Sequence, residues 1–118
     1  MRKFSSGATR NDDSGQPMYA GFLSPLVVQE FGAYMHRHRL QADGQIRSSR
    51  NWRKGMTTES YEESLMRHAV DAWLILEGFP TKAREDLAAA LCGIMFNASG
   101  LLHEFILQRD GLERGRTE

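Results

Sequence analysis

Four acids carry most of the chemical potential of this chain: Glu59, Glu62, Glu63 and Asp86. Glu59 and Glu62 stand one helical turn apart, so an E-x-x-E pair on one helix face can grip Mg²⁺ or Mn²⁺ through oxygen ligands. Ions held that way polarise phosphoryl oxygens and lower the pKa of a bound water, which is what phosphoanhydride cleavage requires. A second feature is the run RNWRKG at residues 50–55, where Asn51 and Trp52 are flanked by Arg50, Arg53 and Lys54. Its cations, with Arg47, suit an anionic ligand, and Trp52 could stack on a base while Asn51 reads its edge. The other reading is architectural: Trp52 anchors a long loop to a core and Asn51 caps the turn before it.

These residues need elements to position them. The chain has 118 residues, enough for one domain with a modest core. Fifteen basic and fifteen acidic side chains cancel, so net charge gives no argument for a nucleic-acid or membrane partner, and neither is expected. One cysteine, Cys92, excludes an internal disulfide and fits a reducing compartment. The start lacks a signal-peptide pattern and no run is read as long enough to span a bilayer, so a cytoplasmic location is expected.

Residues 1–23 read as an N-terminal arm, polar and disordered in isolation up to 17, with Tyr19, Phe22 and Leu23 able to tie it to the body or to a partner subunit. Ser24 then Pro25 predicts a helix start, and this first helix should run to about Leu40. A polar loop covers 41–57. Thr57 or Thr58 should cap a second helix reaching about Glu77, where Gly78 and Pro80 stop it. A third helix is predicted over 82–107 and is apolar on nearly every side, as a central helix is. Residues 108–118 should fray. Strand patterns are absent. The expectation is an all-α bundle over 24–107, and three helices bury so apolar a helix poorly, so a homodimer or larger assembly is expected to complete it.

A helical wheel on the second helix, with Leu65 at the origin, groups Ala69, Trp73, Leu76 and Met66 as the core face. Glu62 falls inside it and Glu59 on its edge. Glu63, Arg67 and Asp71 lie opposite as i,i+4 neighbours, the pattern of a solvated face. An inward carboxylate must be paired or metal-bound, unless the open first turn and the helix dipole suffice. On the third helix, Asp86, Asn97 and Glu104 share a stripe. Asn97 could bridge helices or read a nucleobase. Glu104 needs an antiparallel or symmetry-related neighbour to approach Glu59 and Glu62. His68 sits on the flank of the second helix, and the four histidines form no metal motif by spacing. Cys92 reads as core packing.

RNWRKG followed by YEESLMRHAVDAW resembles a family of small phage and bacterial dATP/dGTP diphosphohydrolase-like proteins, related to the all-α MazG-like nucleotide pyrophosphohydrolases. Asn51, Trp52, Arg53, Tyr61, Arg67 and His68 carry the resemblance, which spans about 24–107. It implies a MazG-like helical bundle in a host cytoplasm. It also implies Mg²⁺- or Mn²⁺-dependent cleavage of a (deoxy)purine nucleoside triphosphate to monophosphate and pyrophosphate. Glu59, Glu62, Glu63 and Asp86 would hold metal, with Glu62 or Glu63 catalytic, while Asn51, Trp52, Arg53, Lys54, Arg67, His68 and Asn97 would hold the nucleotide. No clean ExxD pair follows in the third helix. That motivates an alternative, a non-catalytic phage protein that sequesters a nucleotide or a cyclic nucleotide signal.

Overall fold

The computed structural model describes residues 2–11 and 15–118; positions 1 and 12–14 of the expected arm lie outside the described residues. The chain is a small all-α bundle of three helices: α1 (Pro25–Arg37), α2 (Thr58–Leu76) and α3 (Leu87–Asp110). Each begins where a side-chain oxygen caps it. Ser24 Oγ accepts from the Val27 amide, Thr57 Oγ1 from Ser60, and Asp86 Oδ1 from Ala89. The Asp86 cap corrects the expected start of α3 from 82 to 87, because 80–82 form a separate 3₁₀ turn behind Pro80. The helix also runs on to Asp110, where Gly111 adopts the left-handed conformation that closes it.

The arm holds one departure from the all-helical pattern. Arg2–Lys3 (β1) and Thr9–Arg10 (β2) pair antiparallel, with Arg2 opposite Arg10. Gly7, at φ +92°, makes the turn between them and donates to the Phe4 carbonyl at 3.0 Å.

α2 and α3 run antiparallel as a hairpin: Tyr61 lies against Gly100, and His68 against Gly93. Both glycines are buried inside α3. They leave room in the helix surface that the two rings fill. α1 rests on α3 and brings its one buried residue, Tyr34, into electrostatic reach of Cys92 and Glu85. The buried apolar residues are Tyr34, Tyr61, Ala72, Ala90 and Cys92. The radius of gyration is 19.0 Å, against about 13.5 Å for a compact domain of this length.

This packing corrects the wheel on α2. Its buried residues are Tyr61, Asp71 and Ala72, whereas Trp73 and Leu76 are 67% and 69% exposed. Glu62 is exposed rather than inward, and Asp71 is only 3% exposed rather than on a solvated face. The reason is physical. α3 offers α2 its glycine side, which accepts flat rings and a paired carboxylate, so bulk hydrophobicity does not select the buried face. The reading of no membrane-length run is corrected as well. α3 is, by length and composition only, the one helix among the described residues long and apolar enough to cross a membrane. Glu104 is its only charged residue from Leu87 to Gln108.

Candidate metal centre

Midway along the hairpin, three ligand-bearing side chains converge. His68 and Asp71 project from α2 one turn apart, toward the segment that leads into α3, where Glu85 immediately precedes the Asp86 cap. One ligand atom from each of His68, Asp71 and Glu85 lies within 4.8 Å of the others. His68 Nδ1–H donates to Glu85 Oε1 in a short, partly buried contact. Asp71 is held from the other side: Arg84 Nε and Nη2 donate to Oδ2 at 2.8 and 2.6 Å, and the Arg84 amide donates to Oδ1 at 3.2 Å. These bonds hold the Asp71 carboxyl below the usual carboxylate range despite its burial. Consecutive residues Arg84 and Glu85 thus tie the loop to α2 through two opposite partners.

The surroundings are organised as well. The His68 ring fills the space over Gly93, where any Cβ would stand about 2.5 Å from the ring. Tyr34 comes in from α1; burial first, and the negative Glu85 second, push its phenol up, so it keeps its proton. Burial also raises the Cys92 thiol, which keeps it an unreactive part of the core, as its place in an apolar helix implied.

A His/Asp/Glu cluster able to coordinate a divalent metal ion is therefore present. One nitrogen and two carboxylates form a mixed donor set. Carboxylate oxygens suit Mg²⁺ and Mn²⁺, and imidazole favours ions from Mn²⁺ toward Zn²⁺ in the first-row series.

The residues singled out from sequence fall mostly elsewhere. His68 enters the cluster; Arg67 beside it is exposed. Glu59, Glu62 and Glu63 are exposed along the first turns of α2, and Asp86 is occupied as an N-cap. Asn97 is buried, and its Nδ2 donates to the Gly93 carbonyl at 2.8 Å within its own helix. Asn51, Trp52, Arg53 and Lys54 form a 3₁₀ turn near the far end of α3. There Trp52 meets His103 edge-on at 5.0 Å, and Arg114 donates to the Arg53 carbonyl at 2.9 Å and to both oxygens of Glu104. RNWRKG is thus pinned to the bundle, and Arg114, from the stretch expected to fray, helps to hold it. The antiparallel hairpin does bring Glu104 to the N-terminal end of α2, where it shares a groove with Thr57 and Thr58.

Two cluster members, Asp71 and Glu85, were not foreseen. The H-x-x-D spacing of His68 and Asp71 is readable in the sequence, but Glu85 lies 17 residues from His68 and is joined only by the hairpin.

Fold and cluster together define a small all-α protein with a site suited to a divalent metal. No family model, curated protein or solved structure matches the chain.

Proposed function

We propose that this chain is a divalent-metal-dependent hydrolase that cleaves a nucleoside triphosphate to monophosphate and pyrophosphate. The convergence of His68, Asp71 and Glu85 carries the metal-dependent part of the reading. The nucleotide part rests on the resemblance of NWRKG and the Tyr61, Arg67 and His68 cluster. An ion held there supplies Lewis acidity toward a phosphoryl oxygen and a water of lowered pKa. The residues around it have distinct tasks. Arg84 orients Asp71, and its guanidinium is half exposed, so its free edge can meet a phosphate. Arg67 is exposed on the same helix one position from His68 and offers a second cation. The mixed donor set favours Mn²⁺ over Mg²⁺.

The test is a product assay with Mn²⁺ or Mg²⁺ over a panel of ribo- and deoxyribonucleoside triphosphates. The reading expects stoichiometric monophosphate and pyrophosphate, lost in His68→Ala and Glu85→Gln. Absence of turnover with every triphosphate and metal contradicts it.

A second reading has its own observation. Both oxygens of Asp71 already accept hydrogen bonds from Arg84, so the cluster is complete as a brace between loop and helix. On that reading the chain captures a linear or cyclic nucleotide without cleaving it. Recovery of intact ligand from a metal-independent complex favours capture.

A further inference from the structure

We propose that a single-stranded nucleic acid lies along the cations between Arg37 and Lys54, on the flank of the bundle from the end of α1 to the 3₁₀ turn of Asn51–Lys54.

A net charge of zero hides a segregation. Six of the chain's fifteen cations, Arg37, Arg39, Arg47, Arg50, Arg53 and Lys54, fall in this segment, and Asp43 is the one acid among them. The other nine cations face fourteen acids. None of the six is buried, and none is in an ion pair among the described residues. Like charges gathered without neutralisation repel one another. A polyanion relieves that repulsion and releases its own counterions as it binds.

The structure holds these cations in order. Arg37 closes α1 within electrostatic reach of Tyr34 and Cys92, beside the first half of α3. Leu40 and Ile46 then pair in an antiparallel bridge, which sets Arg39 opposite Arg47. The Arg47 amide donates to the Arg39 carbonyl and Arg39 Nε donates to the Arg47 carbonyl, both at 2.8 Å, while Arg47 Nη2 donates to the His38 carbonyl at 2.6 Å. Both guanidiniums are thereby fixed with N–H groups to spare. Turns closed on the Ser48 and Arg50 carbonyls carry Arg50, Arg53 and Lys54 to the point where Trp52 meets His103. Cys92 and His103 are eleven residues apart, so the row runs about 16 Å along α3.

The pattern chooses the occupant. A triphosphate concentrates its charge at one place, whereas a strand repeats its phosphates along its length, as the row of cations does. Five of the six are arginines, whose forks suit phosphate oxygens. Trp52, half-buried among Arg50, Arg53 and Lys54, offers a ring to unpaired bases, which a strand has and a duplex lacks. Leu40 and Ile46 are exposed, but alternation sends them to the other face of the ribbon from Arg39 and Arg47. The cationic face of the ribbon has no apolar side chain to insert into a bilayer, which favours a strand over a lipid surface.

The experiment is fluorescence anisotropy of a labelled single-stranded DNA of about 20 nucleotides with the full chain, in the presence of chelator, so that the outcome is independent of the metal reading. The strand should bind, and its affinity should fall with salt at a log–log slope of about −3, as expected for roughly four neutralised phosphates. Arg37→Glu with Lys54→Glu alters two exposed side chains that make no hydrogen bond among the described residues, and should weaken binding by roughly tenfold or more. The same change of charge on the arm, Lys3→Glu with Arg10→Glu, should weaken it by less than about threefold. Should the first variant unfold, Arg37→Ala with Lys54→Ala should still flatten the salt slope by about 1.4. Absence of binding at low salt, equal losses in the two charge-reversed variants, or tighter binding of the duplex overturns the proposal. So does full displacement by an equimolar amount of inorganic triphosphate, or capture of the chain by phosphatidylglycerol vesicles in place of the strand.

Discussion

A Cβ placed on Gly93 would stand 2.5 Å from both Cγ and Nδ1 of His68. The glycine in α3 therefore sets where the imidazole of α2 lies, and with it the bond to Glu85. Gly93→Ala gains up to about 1 kcal/mol of helix propensity. It loses roughly 1–3 kcal/mol to overpacking, because the ring has to leave its place. We expect a net loss of about 0–2 kcal/mol in urea unfolding and a fall of roughly tenfold in metal affinity, the usual effect of misorienting a ligand. Unchanged metal affinity would separate His68 from the metal centre.

The analogous pair farther along the hairpin responds differently. Tyr61 is 1% exposed, and a Cβ on Gly100 would come within 2.3 Å of its ring. The ring has no open space to enter, so the overpacking loss of Gly100→Ala falls at the upper end of the range and, set against the same gain in helix propensity, leaves a net cost of about 2 kcal/mol. The buried Tyr61 hydroxyl has no hydrogen-bond partner among the described residues. Tyr61→Phe should accordingly be neutral or stabilising by up to about 1 kcal/mol, since it removes an unpaired polar atom. Chemical denaturation of the two variants checks both signs.

Arg84 and Asp71 are unequal partners, one half exposed and the other buried. Breaking a fully buried pair costs about 3–5 kcal/mol, and water at Arg84 reduces that. Arg84→Ala should therefore destabilise by about 2 kcal/mol, and Arg84→Lys should recover only part of this because it cannot supply the fork. Thermal unfolding measured side by side orders the three proteins.

Glu104 and Arg114 give a pH dependence of defined sign. The Arg114 hydrogen bonds hold the Glu104 carboxyl below the usual value of 4.5. A depressed carboxylate pKa stabilises the fold fully above that usual value, and the stabilisation is lost as pH falls through the lowered one. Wild type should thus lose stability on acidification below about pH 4.5 more steeply than Glu104→Gln. Parallel slopes in a pH series of urea titrations would remove the pair from the account.

Much of this architecture was legible in the sequence, because capping chemistry is local. Ser24–Pro25, Thr57 and Gly78 mark helix ends through bonds made within a few residues, and those ends lie within about three residues of expectation. Of the cluster, the sequence singled out only His68, and as a nucleotide-binding residue rather than a metal ligand. Asp71 looked solvated because its i,i+4 neighbour Arg67 is a cation, whereas its partner is Arg84, across the hairpin. The wheel on α2 failed for a related reason. It ranks faces by apolar bulk, but Gly93 and Gly100 on α3 select rings, and the bulky face with Met66 and Trp73 remains exposed in the single chain.

The most direct test of the metal-dependent reading is Mn²⁺ binding followed by electron paramagnetic resonance on the full chain, wild type beside His68→Ala and Glu85→Gln. The account predicts one site per chain, lost in either variant and kept in Glu62→Gln. Binding that survives both cluster variants, or that disappears in Glu62→Gln, contradicts it.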